Sequence, residues 1–282
     1  MNKPDCLVGT PRGETSRLTL WRKRFGLFLT VVVVVFLLAL AKAAIHSVEW
    51  EFLNLNALFT SVIAGAVFII GFLLSSILSD YKEAERIPAE IRIALEAIYD
   101  DCLGFARRQK TIAIEPLRQL LLHIVSCIPA KLGQADAQNL RTVIAHIDEL
   151  TAYFWDLEEA GMPPNFVVRL RSEQSMLRRC IFRMYHMQRI QFIPSVHVLV
   201  QSLVVAVISL LLFLKTEGSP ESALIFGAIS YMFIYVPYLV ATLEQPFRKG
   251  RQTLDDVSLF LLREFEEKLI RCGTDCCPVT PR

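Results

Sequence analysis

The chain has 282 residues, 53% of them hydrophobic and 21% charged, with a formal net charge of +2 and a mean hydropathy of +0.42. That balance is too apolar for an ordinary soluble domain unless the apolar residues gather into membrane-crossing segments, and a near-neutral total gives no basis for nucleic-acid binding. The seven cysteines are odd in number and scattered, which argues against a disulfide framework.

Residues 1–24 read as an N-terminal segment that carries Arg17, Arg22, Lys23 and Arg24 before the first apolar run. A helix rising 1.5 Å per residue needs about 20 apolar residues to cross a hydrocarbon layer of about 30 Å, and Phe25–Ile45 meets that length. Its β-branched run Thr30–Val35 suits lipid better than water, and Lys42 near its end is expected to snorkel outward. The basic-then-apolar layout with Ala41-Lys42-Ala43 also imitates a secretory signal, but the run is long for one. A second apolar segment, Ala57–Leu78, completes a first transmembrane pair over residues 25–78 and is rich in small residues. Ser61, Ala64, Gly65, Ala66, Gly71, Ser75, Ser76 and Ser79 allow close helix approach. Ala64, Phe68 and Phe72 step by four along one stripe, so copies of this helix around an axis would form a narrow apolar neck. The other reading of the rings is packing against neighbouring spans.

Residues 79–191 read as an all-helical region. Ile87, Ile91, Leu95, Ile98, Cys102 and Phe105 recur at the spacing of one buried stripe over Glu85–Lys110, with Pro88 in the first turn. Nothing breaks the six residues that join this helix to the second span. Further helices are expected over about Glu115–Ile128, stopped by Pro129, about Ala135–Ala160, ended by Gly161-Met162-Pro163-Pro164, and about Asn165–Arg189. Glu83, Glu85, Glu90 and Glu96 are interleaved with Lys82, Arg86 and Arg92, the pattern of intrahelical pairing on a solvated face.

A second transmembrane pair, Phe192–Leu214 and Ser222–Leu243, fills residues 192–243, and a helix and tail occupy 244–282. His197 and Gln201 share one face of the third span, as an interhelical hydrogen-bond pair or as lining groups. Lys and Arg flank the outer ends of both pairs, while the connectors His46–Asn56 and Lys215–Glu221 are acidic. By the positive-inside rule both termini and the long middle are cytoplasmic. No phosphate loop, zinc motif or nucleophile elbow occurs, so neither an enzyme nor a cofactor or metal is expected. His123, His146 and His186 read as single helix residues, and Cys272, Cys276 and Cys277 as free tail thiols.

The run Phe68-Ile69-Ile70-Gly71-Phe72, with Ser75 to Asp80 and Glu85-Arg86-Ile87-Pro88 after it, resembles the second span of bestrophins and their bacterial and plant relatives. Glu244-Gln245-Pro246-Phe247 with Asp255-Asp256 resembles their acidic-Pro-Phe segment, and the order of spans and helices is similar. The resemblance, over roughly Arg22 to Leu269, implies a homopentameric ion channel in a lipid bilayer, with five second spans lining one pore and chloride or other anions as the usual permeant ions. It maps the neck onto Ala64, Phe68 and Phe72, the first being bulkier in the family. Gln245 stands where the family usually has Asp, and no acidic run follows Phe247, which implies no calcium gating. Ser79-Asp80-Tyr81 replaces a basic-aromatic segment, and some bacterial relatives favour cations, so a cation-selective channel is one alternative. A non-conducting membrane-anchored adaptor is another.

Overall fold

The structure, a computed structural model, describes residues 17–109, 112–131, 137–189, 194–216, 218–244, 246–247 and 257–274. The described residues form eight helices joined by short connectors: α1 (Arg17–Ser47), α2 (Ala57–Arg108), α3 (Glu115–Lys131), α4 (Ala137–Glu159), α5 (Pro164–Arg189), α6 (Pro194–Leu212), α7 (Pro220–Leu243) and α8 (Phe260–Thr274). An isolated bridge between Leu53 and Leu214 is the one β-type pairing among them.

Within these helices Phe28–Ser47, the apolar part of α2 and Pro220–Leu243 are long and apolar enough to cross a membrane, and Val196–Leu212 is apolar but shorter. Their surfaces carry Leu29, Phe36, Leu37, Leu224 and Ile225 exposed, an apolar exterior that water would not tolerate and lipid would. Two cores result. The first joins α2, α6 and α7 through Phe59, Ala66, Ile70, Val204, Val207 and Phe233. The second is built from the latter half of α2 with α3, α4, α5 and α8, around Ile91, Leu95, Ile98, Leu121, Phe154 and Phe265.

Helix α2 belongs to both cores. It runs unbroken for 52 residues, about 78 Å at 1.5 Å per residue. Asn56 caps it, accepting a hydrogen bond from the Phe59 amide at 2.9 Å. Pro88 therefore lies in its interior and not in a first turn. It forfeits one backbone bond there, and burial beside Ala84 and Ile87 offsets the loss. Pro129 likewise falls inside the last turn of α3. At that end the missing N–H removes a single hydrogen bond, so the helix continues to Lys131.

The acidic residues of α2 find their partners mainly on other helices. Glu83 pairs with Arg183 of α5, Glu96 with Lys268 of α8 at 2.5 Å, and Cys180 of α5 donates to Glu90 at 3.6 Å. Only the Arg92–Glu96 pair is intrahelical among these, and Arg92 also reaches Glu264 at 2.9 Å.

Candidate functional site

The small-residue stripe of α2 follows the 100° step of the helix: residues 61, 64, 65, 68, 72, 75 and 79 all fall within about 60° of Phe68. The helix turns Phe59, Ala66, Ile70 and Ile77 into the protein, which leaves the stripe outside. Ser61, Ala64, Gly71, Ser75, Ser76 and Ser79 are exposed, Phe68 is 74% exposed and Phe72 70%. The rings therefore do not pack against the chain's own spans. A Cβ placed on Gly65 or Gly71 would meet nothing within 4 Å. Among the described residues nothing demands those two glycines, and the exposed stripe of small residues and rings follows one face of a long helix.

The predicted polar residues of α6 separate. Gln201 is exposed, whereas His197 is half-buried and acts electrostatically on Glu244 beyond the end of α7. Burial raises the Glu244 carboxyl above its ordinary value and His197 opposes that rise. Pro246 is buried, its carbonyl accepts from the Val257 amide at 2.8 Å, and Phe247 packs against the second core. The Glu-x-Pro-Phe segment thus ties the end of α7 to the second core. Gln245, Asp255, Asp256, Cys276 and Cys277 lie outside the described residues. A cavity of about 330 Å³ opens beside this junction, lined by Ile77, Asp80, Glu83, Arg183, His186 and Glu244 among others. Among the described residues no three His, Cys, Asp or Glu side chains converge as metal ligands.

Sequence reasoning missed a second polar cluster at the opposite end of the apolar helices. Lys42 is folded back: its Nζ lies 2.5 Å from Glu51 Oε1, donates to the Leu212 carbonyl at 3.1 Å and also to the Leu214 carbonyl. Glu51 further accepts from His46 Nδ1 at 3.2 Å and from the Thr216 amide at 3.2 Å. Burial acts to raise the Glu51 carboxyl, but the hydrogen bonds from Lys42, His46 and Thr216 outweigh it and hold it at about 2. The turn at Glu49, with φ of 56°, brings Glu51 back over the end of α1. Gly218, with φ of +66°, passes so close that a Cβ there would sit 3.0 Å from His46 Nε2. The available signal was the nine-residue spacing of a lysine at the end of one apolar run and a glutamate in the connector after it.

No family model and no curated protein sequence matches the chain. Solved structures do. A bacterial bestrophin homolog from Klebsiella pneumoniae, seen as two single-residue variants, aligns with a TM-score of 0.68 and 15% identity in each. One alignment covers 88% of this chain and the other 89%, and both cover 99% of the homolog. A variant of a protein described only as a membrane protein aligns at 0.66 with 17% identity, over 89% of this chain and 99% of its own. At these identities the likeness establishes the fold: this chain is an all-helical integral membrane protein with the bestrophin fold.

Proposed function

We propose that the chain is one subunit of a homopentameric ion channel in which five copies of α2 surround the conduction path, with anions, chloride foremost, as the permeant ions. The observation that carries this reading is the exposed stripe of α2. Phe68 and Phe72 stand out from a single chain, flanked by Ser61, Ala64, Gly71, Ser75, Ser76 and Ser79. Large rings left exposed on a helix of this kind are explained by a partner, and five-fold repetition of the helix supplies one.

In this reading α1, α2, α6 and α7 form four spans, grouped as residues 25–78 and 192–243, and the second core over residues 79–191 is a cytoplasmic body with both termini on its side. Helix α6, Pro194–Leu212, is the shortest of the four. The neck is Ala64, Phe68 and Phe72. Its small outer residue leaves the ring pair as the constriction, where an apolar lining dewets and each ring's partly positive edge favours a dehydrated anion. The chain acts as a passive pore and performs no catalysis. The unbroken α2 joins the neck to the Glu96–Lys268 and Glu83–Arg183 contacts of the body, so strain in the body reaches the neck through one rigid element.

The test is thiol accessibility in a background with Cys6, Cys272, Cys276 and Cys277 replaced by Ser. Charged thiol reagents are expected to alter current through Phe72→Cys and Ser75→Cys channels and to leave Phe36→Cys, on the lipid-facing side of α1, unaffected. Equal insensitivity at all three positions, in protein that conducts, would remove α2 from the lining. Folded protein that never conducts would favour the adaptor.

A further inference from the structure

His123 and His146 belong to neighbouring helices, α3 and α4, which pack side by side in the second core. Their ring centres lie 6.2 Å apart with the planes tilted by 33°. Each ring has its Nδ1 committed. His123 Nδ1 is 2.8 Å from the Gln119 carbonyl and His146 Nδ1 is 3.2 Å from Glu149 Oε1. A carbonyl and a carboxylate only accept, so both Nδ1 atoms carry a proton, and in the neutral form of each ring Nε2 keeps the lone pair. The His146 side chain is 13% exposed, and its Nε2 is fully buried without a hydrogen-bond partner. A buried acceptor in that state is unfavourable, and a ligand would relieve it.

We propose that His123 and His146 form a binding site for a borderline-soft divalent cation such as Zn²⁺, held through the two Nε2 atoms with water completing the shell. The chemistry fits on three points. Imidazole nitrogen is a preferred donor for zinc, nickel and copper. A zinc-bound histidine usually gives its other N–H to a carboxylate or carbonyl, which fixes the tautomer and raises basicity, and Glu149 and Gln119 occupy those roles. With zinc–nitrogen bonds of about 2.0–2.1 Å, two imidazoles on one ion have ring centres roughly 5–6 Å apart. Rotation of the half-buried His123 ring supplies the small remaining approach. Occupation would pin α3 to α4 on the surface of the second core, at a point remote in sequence from the α2 stripe.

The experiment is calorimetric titration of purified full-length protein with zinc chloride, in the C272S/C276S/C277S background so that tail thiols do not contribute. One site per subunit is expected, weakened at least about tenfold by His123→Ala, with a smaller loss for Glu149→Gln. His146→Ala tests the buried partner. Should it fail to fold, His123→Ala, which alters a half-buried ring, and Glu149→Gln, which alters an exposed side chain, still decide the matter. Zinc should also raise the melting temperature of the parent and lose that effect in His123→Ala. Absence of a site in the parent, or an unchanged site in folded His123→Ala protein, would overturn the proposal.

Discussion

Replacing Lys42 by Met removes one partner of an ion pair that is almost wholly enclosed, with Lys42 and Glu51 side chains 10% and 8% exposed. Glu51 would keep its bonds from His46 and Thr216 but lose the cation that balances it. Breaking a buried pair from one side leaves an uncompensated charge and costs about 3–5 kcal/mol. The lower figure is appropriate, because two other donors remain. A loss of about 3 kcal/mol corresponds to a fall of roughly 6–12 °C in melting temperature for a chain of this size. The double variant K42M/E51L discards both charges, and a buried pair replaced by apolar groups of similar volume is often neutral, so it should recover to within about 1 kcal/mol of the parent. The coupling across the cycle is then about 2 kcal/mol or more, as expected of directly contacting residues. Thermal unfolding of detergent-solubilised protein, monitored by intrinsic fluorescence, reads all four species. A parent-like melting point for Lys42→Met, or a double variant as damaged as the single one, would refute the reasoning.

The same pair sets a pH dependence. The Glu51 carboxyl is held at about 2 in the folded protein against an ordinary 4.5, so its contribution is complete above 4.5 and is lost as pH falls from there through about 2. The melting temperature of the parent minus that of K42M/E51L should be flat from pH 7 to pH 5 and fall below that, the parent dropping beneath the double variant. Phe68→Ala with Phe72→Ala should widen the hydrated path and raise single-channel conductance by roughly twofold or more, whereas unchanged conductance in the folded double variant would assign the rings to packing between subunits. Phe265 of α8 is 0% exposed, so Phe265→Ala should cost about 3–5 kcal/mol and expose α8 to limited proteolysis well before the rest of the chain. Micromolar calcium should leave currents of the purified channel unchanged, tested by chelation during recording.

The apolar helices were legible because membrane crossing demands about 20 consecutive apolar residues, a requirement written locally in the chain. The continuity of α2 was legible for a similar reason, since no Gly or Pro separates Ser79 from Ala84. Pro88 suggests a helix start in the sequence because proline is at home in a first turn. Tertiary burial overrode that preference once the helix arrived from the span above. The partners of Glu83, Glu90 and Glu96 were not legible, since they come from α5 and α8 and no local pattern encodes which distant cation arrives. Lys42 illustrates the same limit: a lysine at the end of an apolar run ordinarily reaches water, and only the turn at Glu49 reveals that Glu51 meets it instead. His123 and His146 are separate helix residues in sequence and neighbours only after α3 and α4 have packed. The stripe of α2 was visible as a periodicity, while its exposure depended on which face the other helices took.

The central claim is conduction, and it is tested most directly by the reversal potential of purified protein in planar bilayers under a chloride gradient with an impermeant organic cation on both sides, then with sodium. The account predicts a reversal near the chloride equilibrium potential in both solutions. A reversal that follows sodium would contradict anion selectivity while keeping the pore, and silence from folded, pentameric protein would contradict the channel itself.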